Sequence, residues 1–114
     1  MEEPISFGAY LKQLIKQKGF TQAEFRRKAG ISKTYLVDME KGDAYPPLKL
    51  QVRFCSILQL DYNEKVVFFD KAAAGRGELP ADVFLYLLSN RDKIQEVRSE
   101  IYGATALKLT EFTW

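Results

Sequence analysis

The residues best placed to do chemistry lie in one short span, TQAEFRRKAGISKTYLVDMEKG, residues 21–42. Lys33 and Thr34 stand at the start of a short helical pattern, directly after Ser32. A lysine ammonium can donate to guanine O6 and N7, and a threonine hydroxyl can donate or accept. One helical turn on, Val37 offers a methyl surface for a thymine methyl. Asp38 offers a carboxylate that could accept from cytosine N4. Catalytic chemistry is harder to assemble. The chain has no histidine, so the commonest general base and metal ligand is missing. The single cysteine, Cys55, rules out an internal disulfide and any multi-thiolate metal site. No nucleophile–base pair or metal-ligand cluster is visible. The expectation is a protein that is not an enzyme and needs no cofactor and no metal.

Two helices close together must position Lys33 and Thr34. Thr21 and Glu24 have the spacing of a capping box, in which each side chain satisfies an amide of the first turn. Phe20 before the cap and Phe25 beyond it have the spacing of a hydrophobic staple. Gly30 sits where that helix must stop. Ser32 is a good N-cap for the next helix, Ile31 and Leu36 repeat the staple spacing, and Gly42 ends it. Two helices joined by a glycine-containing turn of three or four residues form a helix-turn-helix, whose second helix can enter a major groove by its N-terminal residues. Phe25, Ala29, Ile31, Leu36 and Met39 form the inward set. Ser32, Lys33, Thr34, Val37, Asp38 and Lys41 form the outward set.

The flanking segments supply a scaffold. Phe7, Tyr10, Leu11, Leu14 and Ile15 recur at helical spacing, with Ser6 as cap and Gly19 as stop. A fourth helix over Leu48 to Leu58 is apolar on most of its circumference and should be buried. DYNEKVVFFDKAAA reads as a helix from its D-x-x-E start, although VVFF alone would suit a strand. GRGEL reads as a linker, and Pro80 as the opening of a helix PADVFLYLL. RDKIQEVRSEI places Ile94, Val97 and Ile101 on one face. The tail 104–114 is ambiguous: Leu107 and Leu109 alternate as in a strand.

At 114 residues, with 46% hydrophobic and 28% charged content, the chain is one modest globular unit by composition. Residues 1–60 carry ten Lys/Arg against six Asp/Glu, and residues 61–114 seven against nine. A basic first half suits a phosphate-rich partner. No apolar run approaches the roughly 20 residues of a membrane span. MEEPISFG lacks a signal-peptide layout, so a cytoplasmic protein with no membrane contact is expected.

The span 21–42 closely resembles the lambda-repressor-like, or Xre-like, helix-turn-helix of phage and bacterial transcriptional regulators. The pattern is T-Q-x-x-L-A-x-x-x-G-[IV]-S-x-x-Y-[IL]-S-x-[IL]-E-x-G, and the resemblance extends over about residues 6–60. It implies an all-α fold, a lambda-repressor-like helix-turn-helix domain over 1–60, and a helical C-terminal extension over 61–114 expected to serve oligomerisation or partner binding. It also implies a homodimer binding double-stranded operator DNA. Gln22 then takes the place of a glutamine that contacts phosphate and braces the recognition helix. Lys33 and Thr34 fall on the main base-reading positions, and Val37 and Asp38 on later ones. Ser32 and Lys41 match the groove edge and a phosphate-contacting loop, and Tyr35 and Arg27 complete the expected DNA-binding set. Three positions differ from the pattern. Arg26 replaces a small residue at the helix crossing, so its side chain must run outward. Asp38 puts a negative charge near the groove. Ile15 replaces an arginine that pairs with the glutamate of E-x-G, so Glu40 needs another partner. The functional expectation is a sequence-specific regulator, a repressor, reading the major groove with helix 32–41. The competing expectation is an antitoxin or adaptor that binds a protein through residues 61–114.

Overall fold

Ser6 opens the first helix: its Oγ accepts the amide of Ala9 at 3.2 Å. The computed structural model describes residues 5–103, and within them the secondary structure is entirely helical. The helices are α1 (Phe7–Gln17), α2 (Gln22–Ala29), α3 (Lys33–Lys41), α4 (Leu48–Leu58), α5 (Tyr62–Arg76), α6 (Ala81–Ser89) and α7 (Arg91–Gly103). The expected all-α fold is therefore observed. The tail 104–114, for which no conformation was settled from sequence, lies outside the described residues.

The punctuation acts where the sequence places it. Thr21 Oγ1 accepts the Glu24 amide at 3.1 Å, and Glu24 returns a carboxylate to the Thr21 amide, completing the box. Asp61 and Glu64 build the same device at the head of α5. That box commits VVFF to a helix, which turns Phe68 and Phe69 inward and leaves Val66 and Val67 exposed. α5 also runs further than expected. Gly75 lies in its last turn, and the connection begins only at Gly77, whose left-handed backbone (φ 67°) ends the helix. Gly75 lies against the Tyr45 ring, and a Cβ there would overlap it, so the glycine serves close packing rather than a break.

One core joins the first five helices. α1 packs on α3 and α5, α2 on α3 and α4, and α4 on α5. Phe25 and Phe54 meet edge-to-face at 4.9 Å, and Phe7 and Phe68 at 5.2 Å. Such pairs add to the apolar burial that supplies most of the folding energy. Sequence reading put a boundary at residue 60. The core runs on through α5, and the first compact unit ends at Ala81, itself buried. The second unit begins at Asp82 and contains most of α6 and all of α7. No side chain of α7 is buried.

Candidate nucleic-acid interface

The turn between α2 and α3 is fixed from both sides. Gly30 takes the left-handed conformation (φ 71°) that an L side chain rarely adopts, and its amide closes onto the Arg26 carbonyl. From α4, Arg53 Nη1 donates to the Ala29 carbonyl at 3.0 Å, satisfying one carbonyl left open at the end of α2. Ile31 packs on the core, and Ser32 starts α3 by accepting the Tyr35 amide at 3.1 Å. Nothing in the spacing of residues 48–58 marks Arg53 as part of this turn. Its role depends on a contact 24 residues away in sequence.

α1 holds the other end of α3. Gly8 lies where α1 meets the carbonyls of Met39 and Glu40, and any Cβ would overlap that backbone. A glycine inside a helical pattern is a signal of close approach. Here it lets α1 press directly on the last turn of α3.

With both ends fixed, α3 presents a graded surface. Ser32 at the cap and Lys33 and Thr34 on the first turn are exposed, as is Lys41 on the last. Val37 and Asp38, one turn beyond Lys33 and Thr34, are half-buried. Tyr35 is also half-buried and packs against the core, so it sits on the inner flank of the helix. Leu36 and Met39 face inward at 1% and 0% exposure. Gln22 and Arg27 are exposed on α2. The set thus falls into an outer group of Gln22, Arg27, Ser32, Lys33, Thr34 and Lys41, and a recessed group of Tyr35, Val37 and Asp38.

Glu40 finds its partner in Gln22, whose Nε2 donates to Glu40 Oε1 at 2.8 Å. This bond ties the first residue of α2 to the last turn of α3. Arg26, at the crossing, is half-buried rather than fully extended into water. Its Nε is enclosed and has no hydrogen-bond partner among the described residues. An enclosed donor left unpaired costs about 1–3 kcal/mol, a cost that a small residue at this position would not carry.

The outer group consists of two lysines, an arginine, two hydroxyls and an amide, spread over α2, the N-cap of α3 and α3 itself. Groups of these types can donate to phosphate oxygens and base edges. Among the described residues no cluster of acidic, cysteine or histidine side chains could hold a metal ion. No helix among them is long and apolar enough to cross a membrane.

Residues 6–65 match a family model described as a helix-turn-helix domain. The chain is also 38% identical over 56 residues to the ImmF control region 10 kDa protein of Bacillus phage phi105. That match covers 49% of this chain and 62% of the phage protein's length. No solved structure matches.

Proposed function

The chain belongs to the helix-turn-helix domain family, of the kind found in phage and bacterial regulators, and on that premise we propose that it is a sequence-specific DNA-binding repressor. The observation that carries this reading is the exposed first turn of α3, where Lys33 and Thr34 stand outward on a helix fixed by α1, α2 and α4. A helix held in this way can enter a major groove by its N-terminus. Lys33 and Thr34 then read bases. Gln22, Arg27, Ser32 and Lys41 contact phosphate. Val37 and Asp38 lie deeper and meet bases only where the groove wall comes close, and Tyr35 acts at the edge. The Gln22–Glu40 bond leaves Gln22 its second amide hydrogen for a phosphate oxygen. The name of the phage relative, a control-region protein, supports a regulatory role. Operators of this type are near-palindromic, so two copies act together.

Selection of bound fragments from random duplex DNA tests the proposal. One recurrent near-palindromic site is expected, with base preference lost at the positions facing residues 33 and 34 in a Lys33→Ala, Thr34→Ala variant. Arg27→Ala should weaken binding to all sequences and reduce the salt slope by roughly one. A selection that returns no recurrent sequence would sink the reading.

A further inference from the structure

The helices after Ala81 are built differently from those before it. α6 has nine residues, and Val83, Phe84, Tyr86 and Leu88 are each more than 40% exposed. α7 has thirteen residues and buries none. Its apolar stripe of Ile94, Val97 and Ile101 is half-covered at the two isoleucines and 47% exposed at Val97. Helices shorter than about 12–15 residues are marginal in water without packing. A helix apolar around most of its surface, as α6 is, normally lies inside a structure. These two segments need a cover that the described residues do not supply.

We propose that a second copy of this chain covers the α7 stripe, docking by pairing α7 antiparallel to its counterpart across a two-fold axis. This deepens the paired-operator reading and rests on it for why two copies meet. The charge pattern selects the occupant and its direction. Residues 82–103 carry three Lys/Arg against four Asp/Glu, so the segment has no strong field to attract nucleic acid or repel its own copy. Lys93 and Glu100 each stand one position before a stripe isoleucine, on the same flank of α7. In an antiparallel pair like flanks face each other with direction reversed. Lys93 then lies over Glu100 of the second copy, and the pair occurs twice. In a parallel pair Lys93 would meet Arg98 of the second copy instead, also twice. Arg91 shares the flank of Arg98 and approaches it in the antiparallel pair. Arg91 begins the helix and has solvent to turn into, and Arg98 already donates to Gln95 Oε1 at 3.1 Å. Within one chain Lys93 reaches Glu96 at 3.2 Å, an exposed contact that a better partner can displace. The apolar stripe supplies affinity, and the flanking charges fix orientation.

Sedimentation equilibrium of the full chain, without DNA, tests this. The unaltered chain should be a dimer in the micromolar range. Val97→Asp should shift it to monomer, a loss on the order of a hundred-fold, because a carboxylate enters the apolar seam twice. Lys93→Glu should weaken the dimer about five-fold, and adding Glu100→Lys should restore it. If Lys93→Glu strengthens the dimer, the pairing is parallel and the proposal fails. A monomeric unaltered chain overturns it, as does a dimer indifferent to Val97→Asp. The Val97→Asp monomer should still bind one operator half-site. Loss of the dimer with half-site binding intact would leave the DNA reading standing. Absence of half-site binding in a folded dimer would remove the DNA reading and keep the interface.

Discussion

The helices up to α5 and the pair α6–α7 have similar proportions of apolar residues, about half in each, and reach opposite ends. In the first region every helix turns a stripe onto another helix, and Phe25, Phe54 and Phe68 are fully enclosed. In the second, Phe84 and Val97 remain in water. The contrast teaches that an amphipathic stripe specifies a helix's inner face only when a partner stripe exists to meet it. The helix-turn-helix has such partners in α1, which packs on α3, and α4, which packs on α2, and this fixes the angle of α3.

Phenylalanine truncation on each side breaks or sharpens that comparison most strongly. Phe25→Ala should cost about 3–5 kcal/mol in chemical denaturation, because its ring is enclosed against Phe54. Phe84→Ala, measured on the dilute monomer, should stay within about 0.5 kcal/mol. A comparable cost at both sites would erase the distinction. Next in size is Gly8→Ala, expected to destabilise by about 1–3 kcal/mol because the new Cβ meets the Met39 and Glu40 carbonyls. It should also disturb amide signals in the last turn of α3. Ser32→Ala should cost about 1 kcal/mol through loss of the α3 cap, again read by denaturation.

The smallest effect is electrostatic. The Asp61 amide and then Lys18, at 3.0 and 2.9 Å, hold the Glu64 carboxyl below its ordinary pKa. A lowered folded value means the contribution is present above the unfolded pKa and is lost as pH falls through the folded one. Glu64→Gln should therefore lower stability slightly at neutral pH and flatten the acid side of the stability curve, where the contribution is already lost. The pair is only partly buried, so screening by solvent keeps the change small.

Much of the interface frame was legible because caps act over three or four residues. Thr21 with Glu24, Gly30, Ser32 and Gly42 carry their instructions locally, and the structure uses each of them. The partners of Arg53 and Gln22 were not legible, since those bonds join residues 24 and 18 positions apart. The need of Glu40 for a partner could be seen, but which residue met it could not. Whether the helices after residue 60 extend the core is likewise a long-range matter. A Leu60–Asp61 break looks like a boundary, yet Phe68 and Phe69 return to the same core on a helix that begins just after it. The recession of Tyr35, Val37 and Asp38 also depends on how deeply α3 sits, which no spacing within α3 records.

The central claim is that the first turn of α3 reads sequence. Its most direct test compares affinity for a selected duplex and for random duplex, at one fixed salt concentration, in the unaltered chain and in Lys33→Ala, Thr34→Ala. The unaltered chain should prefer the selected site by roughly a thousand-fold or more. The variant should lose about 1–3 kcal/mol of that preference per contact while its affinity for random DNA changes little. Equal losses on both duplexes would show that Lys33 and Thr34 hold the backbone and read nothing.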